Sequence, residues 1–203
     1  MNIHEFKKAL SNSCEVLKEN VDYLYQLDSA TGDGDYGVTI GKIVKAIEET
    51  SKEDIKYYSD LFEQIGWNIM GVRSGSAGPL WASLFLGFSK GAGKKEELNL
   101  DDTKKLFQCG LDELNHILRV KVGDKTMMDS LIPAVEAILK EEESVFNALE
   151  RGAKAAQNGA DSTINLVAKY GRTKNLREKS LGYKDPGAVS IALFFEGLVI
   201  GLS

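Results

Sequence analysis

The stretch Asp28-Ser-Ala-Thr-Gly32-Asp33-Gly34-Asp35-Tyr36-Gly37 interleaves three carboxylates with three glycines. Carboxylates held this close repel one another unless a cation neutralises them. A hard divalent ion with oxygen ligands answers that need. Mg²⁺ in particular takes one or two carboxylates and completes its octahedron with waters and substrate phosphates. Three carboxylates suffice for two ions that share a ligand, and the glycines let the chain turn sharply enough to aim Asp28, Asp33 and Asp35 at one point. Two plainer readings stay open at this stage. Asp-Gly pairs are common turn residues and an aspartate can cap a helix. A calcium loop of the twelve-residue type is disfavoured, because Thr39 stands where its closing glutamate belongs.

Three further segments carry glycine beside reactive polar groups. Gly71-Val-Arg-Ser74-Gly-Ser76-Ala77-Gly78 resembles a phosphate-cradling loop leading into a helix. It lacks the Gly-Lys-Ser/Thr ending of a Walker loop, and a flexible connector would read the same. Lys121-Val-Gly-Asp-Lys-Thr126 offers Thr126 as a helix cap, and Met127 beside it suits either an adenine face or core filling. Tyr170 to Asp185 is cationic, with Arg172, Lys174, Arg177, Lys179 and Lys184; guanidinium forks suit phosphate oxygens, as a solvated basic face would also explain. Asp185-Pro186-Gly187 then reads as a cap followed by a first-turn proline.

These loops need elements to position them. Apolar residues recur at three- and four-residue steps along most of the chain. The spacing predicts helices over roughly 3–26, 37–50, 54–71, 79–91, 101–118, 126–142, 144–169 and 186–202. No alternating stretch long enough for a strand stands out. In an antiparallel arrangement every second connection falls at the same end. The four unusual segments occupy those alternate connections and should converge on one rim, where helix N-termini favour anions. The expected architecture is all-α, eight antiparallel helices whose four unusual connections gather on one anion-favouring rim, formed by 1–203 as a single domain.

The chain has 203 residues, is 43% hydrophobic and carries a net charge of −5. That suits a sizeable core and argues against nucleic acid as a partner. No leader pattern and no apolar run of membrane-spanning length is evident, so no membrane contact and a cytoplasmic setting are expected. Cys14 and Cys109 lie far apart in helical patterns and read as small core residues of a reducing compartment. His4 and His116 sit apart from any Cys/His cluster, against a zinc site.

Taken in order, Leu27-Asp28 with Gly32-Asp33-Gly34-Asp35 and Gly37, Gly75 with Gly78-Pro79, Gly123-Asp-Lys-Thr-Met127, Gly171-Arg172, Ser180-Leu-Gly182 and Asp185-Pro-Gly-Ala188 resemble the nucleotide-binding L subunits of bacterial dihydroxyacetone kinases. The resemblance runs along nearly the whole chain. It implies an eight-helix antiparallel up-and-down barrel with the nucleotide site on one rim, holding ADP or ATP through two Mg²⁺ ions on Asp28, Asp33 and Asp35. It implies nucleotide contacts from Tyr36, Gly37, Val38, Thr39, Ser76, Ala77, Gly78, Thr126, Met127, Arg172, Asp185, Pro186 and Gly187, with Arg172 also clamping phosphate during transfer. It implies a separate K subunit holding dihydroxyacetone or a related ketose, and an M subunit whose phosphohistidine recharges bound ADP. A homodimer is compatible with it. Against the family pattern, Tyr36 stands where histidine is usual, and the Ser76-Ala77 order is reversed. Other readings that keep the acidic loop are the nucleotide-binding part of a fatty-acid-kinase-like enzyme and a nucleotide-loaded regulatory module.

Overall fold

The structure is a computed structural model and describes residues 1–73, 75–171 and 173–203. Among the described residues the regular elements are helical: α1 (Ile3–Glu19), α2 (Val21–Thr31), α3 (Tyr36–Ser51), α4 (Tyr58–Gly71), α5 (Ala77–Ala92), α6 (Leu100–Ile117), α7 (Met128–Leu139), α8 (Val145–Ser162) and α9 (Pro186–Leu202). Short 3₁₀ segments span Thr163–Asn165 and Thr173–Ser180. The single extended pairing among them is an isolated bridge between Asn2 and Glu97. None of these helices is long and apolar enough to cross a membrane.

Local chemistry explains several helix starts. Asn2 and Glu5 form a capping box at the start of α1, and Asn99 with Asp102 repeats it at α6. Ser144 caps α8 by accepting the Asn147 N–H. Two expected helices are corrected. The single helix over 3–26 breaks at Asn20, whose side-chain amide donates to the Val16 carbonyl at 2.8 Å and competes with the helix for it. The chain restarts at Val21 and runs on to Thr31, which places Asp28 in a helix, not in a loop. The helix over 144–169 ends at Ser162, because the Thr163 and Leu166 carbonyls turn away to another donor, the Lys125 ammonium.

Packing closes the helices into a ring. α1 lies against α3, then α4, α5, α6, α7, α8 and α9 follow in turn, and α9 returns to α1; α2 continues α1 along the flank of α3. The α9 helix is apolar on nearly every face and is buried almost throughout. Its seam with α1 is backbone-close: a Cβ on Gly197 would collide with the Ser13 backbone, and one on Gly201 with Ala9. Buried apolar side chains form one cluster running through the ring. Its centre is aromatic: Phe62 packs edge-on to Phe6 and Phe88, and Trp81 edge-on to Phe194, with ring centroids 5.3, 5.6 and 5.5 Å apart. Cys14 belongs to this core, and burial pushes its thiol up to about 12, so it stays protonated and inert.

The two ends of the ring differ. At one, the α3–α4 and α5–α6 connections meet the chain start through Tyr58 N–H to Lys95 O and Leu98 N–H to Met1 O, both 2.9 Å. At the other, the α2–α3, α4–α5, α6–α7 and α8–α9 connections come together around a cavity. The alternation expected from the sequence is therefore realised.

Candidate functional site

The acidic loop is built from both flanking helices. Asp28 projects from the last turn of α2 and is only 9% exposed. One of its carboxylate oxygens accepts the Tyr36 N–H at 3.1 Å, which ties it to the first turn of α3. Gly32 is required beside it, since a Cβ there would overlap the Asp28 carboxylate. Asp33 and Asp35 are exposed, and Gly34 between them adopts φ 73°. Asp35 occupies the cap position of α3 without its side chain making a capping bond. One carboxylate oxygen from each of Asp28, Asp33 and Asp35 lies within 4.8 Å of the others. An all-oxygen donor set of this span, one member buried and two exposed, fits a hard divalent cation that keeps some of its waters.

The glycine loop faces the acids. Gly75 has φ 57°, and a Cβ on it would stand 3.7 Å from Asp35 Oδ2. Ser76 and Ala77 follow at the start of α5, which has no side-chain cap. The starts of α3, α5 and α9 thus all open on one cavity of about 270 Å³. Backbone N–H groups and helix dipoles at such ends suit phosphate oxygens. Leu80, Leu118, Val120 and Met127 give the same cavity apolar walls. An acidic cluster, several helix starts and an apolar slot in one space match the parts of a metal–nucleotide.

Of the residues singled out from the sequence, Asp28, Asp33, Asp35, Tyr36, Ser76, Ala77, Thr126, Met127, Asp185, Pro186 and Gly187 line the cavity. Gly37, Val38, Thr39 and Gly78 do not. Gly37 instead serves packing, because a Cβ on it would stand 2.5 Å from the Val21 carbonyl. Val38 is exposed. Thr39 and Gly78 are buried within their helices, with the Thr39 hydroxyl close to Gly75. Arg172 and Ser74 lie outside the described residues. The Tyr36 hydroxyl pairs with Ser190 Oγ at 2.8 Å, and burial pushes its phenol well above the ordinary range.

The Gly-Asp-Lys-Thr-Met segment has an internal logic that spacing alone did not disclose. Asp129 accepts N–H groups from Gly123 and Thr126 at 2.6 and 2.7 Å and folds the turn. Asp124 accepts from the Lys121 backbone and the Lys169 ammonium, and both hold its carboxyl below the usual range. Lys125 lines the cavity yet is only 2% exposed, and burial lowers its ammonium pKa. Asp185 caps α9 by accepting the Ala188 N–H at 2.8 Å, while burial raises its carboxyl to about 7. Lys125, Leu80, Leu118, Val120, Tyr170 and Thr173 were not marked as site residues from the sequence. Lys125 had a signal, its place inside a quoted motif; the apolar ones had none, since a wall residue reads as core.

Comparison with known proteins finds relatives over most of the chain. The DAK2 domain family matches residues 30–200. A protein of Escherichia coli named as the ADP-binding subunit DhaL of a PEP-dependent dihydroxyacetone kinase is 29% identical over 198 residues, covering 94% of this chain and 93% of its own. A Listeria innocua protein of the corresponding name is 32% identical over 193 residues, covering 91% and 88%. The crystal structure of the dihydroxyacetone kinase from C. freundii in complex with AMP-PNP and Mg²⁺ superposes with a TM-score of 0.74 at 26% identity, over 96% of this chain. This chain spans only 33% of that larger one. With its helical ring, its acidic rim and a match over most of its length, the chain belongs to the DAK2 domain family.

Proposed function

We propose that this chain is the nucleotide-binding subunit of a dihydroxyacetone kinase, or of a kinase for a related ketose, and binds ADP or ATP with Mg²⁺ in the rim cavity. The observation that carries this reading is the convergence of Asp28, Asp33 and Asp35 within 4.8 Å at a cavity onto which three helix starts open. These three carboxylates would hold two Mg²⁺ ions; the metal would supply neutralisation of the charge on the phosphates being transferred. The backbone N–H groups at the starts of α3 and α5, with Ser76, would orient the phosphate chain. Met127, Leu118 and Val120 would exclude water from the base. Arg172, by its motif, would grip phosphate oxygens.

No side-chain nucleophile is needed for phosphoryl transfer, which rests on positioning and electrostatics. The acceptor sugar would sit on a separate K subunit. The phosphoryl group would come from an M subunit phosphohistidine, in keeping with the PEP-dependent naming of the full-length bacterial relatives. Two free cysteines suit work in the cytoplasm.

Calorimetry with ADP tests the site directly. ADP should bind in excess Mg²⁺ and lose most of its affinity in EDTA. Asp33→Asn should weaken Mg-ADP binding by about a hundredfold or more with an unchanged helical circular dichroism spectrum. Equal ADP affinity with and without Mg²⁺, together with near-normal affinity in the variant, would overturn the assignment.

A further inference from the structure

Lys125 is the one buried lysine among the described residues. Its Nζ donates to four backbone carbonyls, those of Thr163 at 2.9 Å, Leu166 at 3.1 Å, Ser180 at 2.6 Å and Tyr183 at 2.6 Å. An ammonium has three hydrogens, so four acceptors saturate it. Taking it out of water is costly unless such bonds replace the lost hydration. The four carbonyls fall into two pairs, one on each limb of the excursion that leads from α8 to α9. The limbs also meet through Gly182 N–H to Ile164 O at 2.9 Å and Ala168 N–H to Ser180 Oγ at 3.0 Å. The far part of this excursion places Tyr170, Gly171 and Thr173 on the cavity wall.

The backbone of Lys125 adds a second argument. Its φ is 61°, a left-handed conformation that costs a residue with a Cβ and that glycine adopts freely. The turn alone would be better served by glycine. A lysine kept there points to a need for its side chain.

We propose that Lys125 is a positioning residue for the nucleotide site, its ammonium drawing the limbs 163–171 and 173–183 together so that Tyr170, Gly171 and Thr173 stand over the cavity. This rests on the reading of the cavity as a nucleotide site. Lys125 touches the loop and orders the wall; the reacting atoms are others' work.

Lys125→Gly tests it, because this change removes the ammonium and suits the backbone. Hydrogen exchange without nucleotide should rise about tenfold or more over 166–171 and 173–183 while the amides of α1, α4 and α5 keep wild-type rates. ADP should dissociate about tenfold faster with an association rate within about twofold of wild type. Added n-butylammonium, which supplies the lost group, should slow both back toward wild type. Wild-type exchange in the loop with wild-type ADP dissociation overturns the proposal. So does a rise spread evenly over all helices with no response to butylammonium, which marks a general structural role. If the variant does not fold, wild-type protein answers: Mg-ADP should protect 166–171 and 173–183, and no protection there overturns the proposal. A wild-type protein that binds no ADP at all sinks the functional reading instead, while exchange in the nucleotide-free variant still reports whether Lys125 holds the loop.

Discussion

Asp185 has two tasks that pull on its charge in opposite directions. As the cap of α9 it accepts a backbone N–H, which favours the carboxylate, yet burial near Asp129 favours the neutral acid and wins, raising its pKa to about 7. An unfolded aspartate loses its proton near pH 4. Between about pH 4 and 7 the folded state therefore holds a proton that the unfolded state does not. The stability this confers is complete below about pH 4, declines as pH rises, and is gone above about pH 7. Asp124, Glu141 and Asp161 are shifted the other way, by the Lys169 ammonium, by backbone N–H groups of Glu143 and Glu142, and by the Lys184 ammonium. Their contribution grows with pH over the acid range, so the comparison must cancel it. Urea unfolding of wild type and Asp185→Asn at matched pH does so. The stability of wild type relative to the variant should fall across this window, by up to about 1.4 kcal/mol per pH unit. A difference that is flat with pH would show that Asp185 titrates normally.

Glycine has separate meanings in different elements, and the seams show it. The α1–α9 contact needs Gly197 and Gly201 because backbone meets backbone there. Gly197→Leu should destabilise the fold by about 3 kcal/mol, as overpacking against an immobile partner does. Gly41 in α3 has nothing within 4 Å of an added Cβ. Gly41→Ala should stabilise by about 0.5–1 kcal/mol through helix propensity alone. Chemical denaturation of the pair checks both signs at once; similar effects of the two substitutions would contradict the close-packed seam. The same elements show where spacing misleads. Apolar periodicity ran unbroken through Asn20, so α1 and α2 read as one helix; the break comes from a side-chain amide reaching the Val16 carbonyl, a contact with no periodic signature. The end of α8 was equally hidden, because the donor that captures the Thr163 carbonyl just beyond it lies nearly forty residues away in sequence, at Lys125.

The ring gathers the rim cavity from four separated connections, so a ligand held there would draw on the stability of the whole molecule. A ligand held only by the folded state shifts the unfolding equilibrium by its saturation. Stripping Mg-ADP from protein saturated at about a hundredfold above Kd should lower Tm by about 5–10 °C for a chain of this size. Differential scanning calorimetry before and after exhaustive treatment with EDTA reads this, and an unchanged transition would exclude a ligand bound to the folded state alone. Residue types and spacing by themselves determined the helical class, the alternation that brings four loops to one rim, and the acidic loop with its three carboxylates, because helix periodicity, glycine turns and clustered charge are all local along the chain. Tertiary structure alone decided that the Asp28 carboxylate, carried on α2, is tied to the Tyr36 N–H, that Gly37 packs against α2 while Ser76 and Ala77 face the cavity, and that the Lys125 ammonium turns inward to four carbonyls. Burial and hydrogen-bond partners belong to groups brought together from far along the sequence, and no local pattern records which of them will meet.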